Sequence, residues 1–333
     1  MRRRALLTSA GTSLAVSGLA GCTGNRAGPD ESGTTRTTAQ TSTDTTATAG
    51  AVASVGVPLR QVPESPFSDD TGVERVVRTR SAPASAPLVL DPTATTVSLP
   101  EGSVTLSLTN RTDVQFALNP YGWSLWKHVD GTWFHVYPER WPVPLHVLDP
   151  GGSHAWALTL DHDTSRSAVT PAARDAPRAD GGTVAGLGGG TYAFTVDGSL
   201  GEGEQAVRVG LVTRLTFDGP TIDVEPTDRV ERTTRDGATV TAVVEGTPMG
   251  DDATTHVLTV RRSDHEDARR RIPEQVVRDW RYRNTLPYFE SGVDTVRLKA
   301  RKGSGSIPPF GIDDTRLLRY EGETFAVSSK RVE

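Results

Sequence analysis

The run Leu125-Trp126-Lys127-His128-Val129-Asp130-Gly131-Thr132-Trp133-Phe134-His135-Val136 decides the fold of this chain. Asp-Gly between two β-branched and aromatic runs is a strong hairpin signal, because both central positions of a two-residue turn need positive φ. Such a turn puts Trp126, His128, Trp133 and His135 on one face of the hairpin. Leu125, Val129, Phe134 and Val136, with Trp123 just ahead, fall on the other and read as core. The first face is either covered by an opposing loop or exposed as a stacking platform for a sugar or peptide.

Outward from the hairpin, the text alternates with period two, the mark of half-buried strands. Val97 and Leu99 begin it, followed by Val104, Leu106 and Leu108, then Val114, Phe116 and Leu118. A proline-rich crossover (Pro138, Pro142, Pro144) leads to Trp156, Leu158 and Leu160. After a polar loop at 161–186 come Tyr192, Phe194 and Val196, then Val207, Val209, Leu211, Leu215 and Phe217. Short strands separated by turns, with no helix between them, predict a β-sandwich over residues 88–219. Aromatic residues crowd its middle: Tyr121, Trp123, Trp126, Trp133, Phe134, Tyr137 and Trp141.

Residues 104–110, Tyr121-Gly122, Leu125-Trp126-Lys127, Asp130-Gly131-Thr132-Trp133, Pro150-Gly151-Gly152 and Gly190-Thr191-Tyr192 together resemble prokaryotic Ig-like domains of surface proteins. Leu187, Gly190 and Tyr192 are arranged like a tyrosine corner. The resemblance implies an Ig-like β-sandwich used for binding or adhesion. Residues 221–333 differ and match no family pattern. Strand-like runs there surround one helical pattern, in which Pro273 suits the first turn, Ile272, Val276, Val277 and Trp280 share a face, and Pro287 ends it. The expected fold is therefore mainly β: an Ig-like sandwich followed by a small α+β domain.

At the N-terminus, Arg2, Arg3 and Arg4 precede an apolar stretch at 5–20, and Leu19-Ala20-Gly21-Cys22 closes it. A secretory signal needs about 7–15 apolar residues and a spanning helix roughly 20. This stretch is diluted by Ser, Thr and Gly, so it reads as an export signal over residues 1–21. Arg3-Arg4-Ala5-Leu6-Leu7 resembles the twin-arginine motif, and Leu19-Ala20-Gly21-Cys22 resembles a lipobox. The segment is similar to those of twin-arginine-exported lipoproteins of the haloarchaeal kind. That resemblance implies a chain held at the extracellular face of the cell membrane by lipid on Cys22. Residues 23–51 carry no aromatic or large aliphatic side chain, so 22–51 is expected as a disordered Ser/Thr-rich stalk. Residues 52–87 read as a transitional segment with one strand-like run at 73–80.

Cys22 is the only cysteine, which excludes disulfides and thiolate metal sites elsewhere. Loss of residues 1–21, with three arginines and no acid, moves the formal charge from −5 to −8. That balance argues against nucleic acid as a partner. His128 and His135 would be diagonal neighbours, but two ligands fall short of a catalytic zinc site. Asp161-His162-Asp163 and Asp264-His265-Glu266-Asp267 are either hard-cation sites or solvated turns. Eight arginines from Arg261 to Arg283 face anionic lipid or polysaccharide, or pair with the five interleaved acids Asp264, Glu266, Asp267, Glu274 and Asp279. Asn110-Arg111-Thr112 is an N-glycosylation sequon, or simply a turn former.

No G-x-S-x-G, H-E-x-x-H or phosphate-loop pattern is present, and no cofactor is implied. The expected function is a non-catalytic binding or adhesion module on a flexible stalk, with a surface polysaccharide or protein as ligand. The alternatives are an extracellular hydrolase with its site in the C-terminal domain, favoured by a deep polar pocket there, and a solute-binding lipoprotein of an importer.

Overall fold

The computed structural model describes residues 55–62, 64–79, 86–139, 142–165, 178–244, 254–302 and 309–332. Arg3, Arg4, Cys22, the 22–51 stalk, Trp141 and residues 166–177 of the 161–186 loop lie outside them. The described chain is mainly β. Its first thirteen strands are β1 (Val57–Pro58), β2 (Arg75–Arg78), β3 (Leu88–Pro92), β4 (Thr96–Ser98), β5 (Glu101–Asn110), β6 (Phe116–Leu118), β7 (Ser124–Val129), β8 (Thr132–Tyr137), β9 (His146–Leu148), β10 (Ser153–Asp161), β11 (Gly181–Val184), β12 (Gly190–Leu200) and β13 (Val207–Asp218).

They form two sheets. A four-stranded sheet runs β11-β10-β5-β3, and a nine-stranded sheet centres on the β12–β13 pair. Alternate residues of β5 and β10 (Val104, Leu106, Leu108, Trp156, Leu158, Leu160) turn inward and share one core with Leu125, Phe194, Leu211 and Phe217 of the other sheet. Trp156 meets Phe194 across the gap at 5.5 Å between ring centroids, and Trp123 stacks on Phe194 at 5.6 Å. Both indoles are fully buried. Their N–H groups donate to the carbonyls of Pro120 (2.7 Å, from Trp156) and Arg178 (3.2 Å, from Trp123), which removes the cost of burying a donor. The sandwich is as expected.

Asp130 (φ 47°) and Gly131 (φ 79°) both adopt positive φ, and Val129 pairs with Thr132. The hairpin turn is thus the two-residue type the Asp-Gly step predicts. Within the 52–87 stretch read as transitional, the strands β1 and β2 join the nine-stranded sheet of the sandwich. β2 pairs parallel with β13 from Val209 to Val212. Phe67 lies over Gly210, where any Cβ would come within 2.4 Å of its ring. The signal was obscured because β2 is short and its partner lies more than a hundred residues away.

The C-terminal part adds β14 (Val230–Asp236), β15 (Thr239–Val244), β16 (Thr254–Arg262), β17 (Arg269–Arg270), β18 (Thr295–Lys302), β19 (Arg316–Tyr320) and β20 (Glu323–Val332). They pair in the order β14-β15-β18-β16-β20-β19-β17. One face of this sheet (Ala242, Leu258, Val260, Leu298, Val327) packs against Val276, Tyr282 and Leu286. The single expected helix is two separate turns, α1 (Pro273–Val276) and α2 (Trp280–Arg283). Asp279 divides them: its backbone is extended (φ −96°, ψ 98°), and its carboxylate accepts from the Arg281 amide and so caps α2. Val276 and Val277 are buried, whereas Trp280 is half-buried and stacks on Phe310 at 5.4 Å. The apolar spacing therefore serves two docking turns. Among the described residues no helix is long and apolar enough to cross a membrane.

Candidate functional site

Lys127 occupies an inward register position on β7, opposite Phe134 of β8 and Tyr192 of β12. A lysine there is desolvated and needs a counter-charge. Glu274 supplies it from α1, where Pro273 opens the first turn. Lys127 Nζ donates to Glu274 Oε1 at 2.5 Å and stands 5.4 Å from the Tyr192 ring centroid. The same oxygen accepts from the Gly188 amide at 3.2 Å and lies 3.3 Å from the Tyr192 hydroxyl. That hydroxyl donates to Gly188 O at 2.8 Å, the expected tyrosine corner. Burial first, and the Glu274 charge second, push the Tyr192 phenol well above its ordinary range. A side chain at position 188 would crowd the pair, since a Cβ would meet Glu274 Oε1 at 2.9 Å and Ile222 N at 3.0 Å.

Around this pair the sandwich and the C-terminal sheet are tied together. Arg270 pairs with Asp130 at the hairpin tip at 2.7 Å, and Gln275 donates to His135 O at 2.8 Å. Arg278 donates to the carbonyls of Ala185 and Gly186, and Arg283 to those of Glu225 and Thr164. A cleft of about 670 Å³ opens at the junction. Lys127, Gly190, Ile222, Arg271, Glu274 and Tyr320 are among the residues that line it. Two unused groups stand in its wall. Glu274 is 1% exposed, yet its Oε2 has no hydrogen-bond partner among the described residues. The Arg271 side chain has no ion pair among the described residues; burial, then neighbouring Arg269, lowers its pKa. Burial also raises that of Tyr320, with help from a hydrogen bond to Glu321. The cleft thus offers a buried acceptor and a cationic donor. Compared with known proteins, the chain matches no family model and no curated sequence.

The four residues expected on the outer hairpin face do share it, with Trp126 opposite His135 and Trp133 opposite His128. They are not displayed as a platform. Val62, Val73 and Val76, with Ala193 and Val212, form a small cluster against Trp126 and Trp133. Trp126 donates to Thr195 Oγ1 at 3.1 Å and Trp133 to Glu64 O at 2.6 Å. All four residues are half-buried. His128 and His135 each face a tryptophan, with ring centroids 4.8 Å apart in both pairs. Burial, then Arg278 and Arg269, lowers the His135 pKa to about 4. No group of three metal-binding side chains occurs among the described residues. In the 161–163 run, Asp161 accepts from the Asp163 amide and His162 contacts Leu187 O, as a turn does.

The sequon reading of Asn110 is corrected. Asn110 is fully buried, and its Nδ2 donates to the carbonyls of Val114 at 2.9 Å and Leu148 at 3.0 Å. Its Oδ1 accepts from the Thr112 hydroxyl at 2.6 Å. The atom a glycan needs is therefore committed to holding the β5–β6 turn. The clustered arginines are corrected too: they do not form one paired helix face. Of the five interleaved acids only Asp279 pairs within the cluster, with Arg281. Arg262 pairs with Glu323 and Arg270 with Asp130. Glu274 and Arg271 were visible in the sequence only as members of the charged 261–283 run; nothing local marks their place at the junction. Lys127 did carry a signal, a cation at a period-two core position.

Proposed function

We propose that this chain is a lipid-anchored, extracytoplasmic binding protein that holds a small polar solute in its junction cleft. The twin-arginine motif at Arg3-Arg4, the lone Cys22 and the 22–51 stalk support the location. In this reading two acyl chains on Cys22 anchor the protein stably. One observation supports the binding role: Glu274, which lines a cleft of about 670 Å³, has a buried Oε2 without a hydrogen-bond partner among the described residues. Buried polar atoms are nearly always satisfied. A solute with a hydroxyl or ammonium donor for Oε2 and an acidic or hydroxyl acceptor for Arg271 fits both groups.

A thermal-melt screen of amino acids, hydroxy acids and sugars tests the cleft. At a hundred times Kd a cleft ligand stabilises the fold by about 2.7 kcal/mol, and Arg271→Ser abolishes that gain. No stabilisation by any of these solutes, or one that Arg271→Ser leaves intact, contradicts the reading. Location is tested separately: Cys22→Ser sends the protein to the soluble fraction, and its retention in membranes contradicts the anchor.

A further inference from the structure

The C-terminal sheet has a second face, turned away from α1 and α2. Its composition follows from the register. Thr241 and Thr259 flank Arg297, Val243 and Val257 flank Lys299, and Thr255 faces Arg301. Lys330 lies on the other side of Val257, and Ser328 beside Thr259. Arg232 sits opposite Val243 on β14, and Arg261 opposite Ala326. Arg232, Arg261, Arg297, Lys299, Arg301 and Lys330 therefore project from one surface built by four strands, and all six are exposed. The one acid that the register places on this face among the described residues is Asp236, at the tip of the β14–β15 hairpin. Arg232, Arg261, Arg297, Lys299 and Lys330 make no ion pair among the described residues.

This concentration runs against the chain as a whole, whose formal charge is −5 and which has four lysines in 333 residues. Two of those lysines stand here. Cations on alternate residues of β18 repeat about every 7 Å, and neighbouring strands lie about 4.8 Å apart. The result is a flat lattice of positive charge with Thr and Ser hydroxyls between the charges. Among the described residues it carries no aromatic ring to stack a base, and its apolar side chains are scattered: Val257 beneath the lysines is 3% exposed, Val243 is half-buried, and Val332 at the end of β20 is exposed, too little to make a wedge for a bilayer.

We infer that this face binds an acidic polysaccharide. The cations meet carboxylate or sulfate groups along the polymer, and the Thr and Ser hydroxyls meet sugar hydroxyls. The site is separate from the junction cleft and does not need Cys22, so either reading survives failure of the other.

The test titrates the purified full chain with polygalacturonate, heparin, neutral dextran, duplex DNA and phosphatidylglycerol vesicles at two salt concentrations. Binding to polygalacturonate or heparin but not dextran is expected, weakening as salt rises. Arg297→Ser, Lys299→Ser and Arg301→Ser together lower that affinity at least tenfold and flatten its salt dependence, with an unchanged melting midpoint. The control, Arg60→Ser, Arg178→Ser and Arg208→Ser, removes as much charge elsewhere and leaves affinity within twofold. No glycan binding, an equal loss in the control, or tighter binding to vesicles or DNA than to either glycan overturns the proposal.

Discussion

At the junction, Lys127, Arg270 and Arg278 end on Glu274, Asp130 and backbone carbonyls; on the outer face of the C-terminal sheet, Arg297, Lys299 and Lys330 end in solvent. Burial explains the difference. A desolvated cation is tolerated best when paired and hydrogen-bonded, so Lys127 and Arg278 are matched and act as structural ties, Arg270 adds an exposed pair with Asp130, and Arg271 alone of these keeps its charge for the cleft. An exposed cation costs little and keeps its charge for a partner. The same residue types thus tie the sandwich to the C-terminal sheet in one place and present a surface in the other.

The largest expected effect lies at the junction. Glu274→Ala strands the Lys127 ammonium at 11% side-chain exposure and removes the acceptor for the Gly188 amide. Chemical denaturation should show a loss of about 3–5 kcal/mol. A loss below about 1 kcal/mol would make the junction resemble the outer face and break the contrast.

His135 sharpens the comparison through pH. Its pKa falls from 6.5 to about 4 in the folded chain, so the folded state holds it neutral. Its contribution is complete above pH 6.5 and is lost as pH falls towards 4. The size is roughly 3 kcal/mol at most. Denaturation curves at pH 7 and pH 4 should therefore diverge less in His135→Gln than in the wild type. An unchanged divergence would assign the acid sensitivity to other groups.

Asn110→Ala comes next, since it leaves buried carbonyls and the Thr112 hydroxyl without their partner; a loss of about 2 kcal/mol is expected. Intact mass should find no glycan at that residue. Smallest of all is the outer face. Lys299→Ser or Lys330→Ser should change stability by no more than about 0.5 kcal/mol, and a larger fall would mean that the face is structural after all.

What was legible in the sequence was whatever short-range chemistry specifies. Asp130-Gly131 marks its turn by its φ requirement, and the inward residues of β5 and β10 mark theirs by alternation. The Gly188–Tyr192 corner also lies within five residues. What stayed hidden is long-range. Lys127 and Glu274 are 147 residues apart, and the outer cations come from β14, β16, β18 and β20, three from β18 and one from each of the others, residues that look ordinary in isolation. Clustering in sequence pointed instead to Arg261–Arg283, which the fold splits: Arg262 and Arg270 reach acids outside the run, Arg281 pairs within it, and Arg261 and Arg271 make no ion pair among the described residues. The Asn110 sequon misled for a related reason: β5 ends with that residue turned inward, which no three-residue motif records.

The most direct test of the central claim is a double-mutant cycle in denaturation free energy between Lys127→Met and Glu274→Met. A structural tie predicts that the two losses are strongly non-additive, with the double variant recovering at least about 2 kcal/mol relative to their sum. Losses that add to within about 0.5 kcal/mol would contradict it.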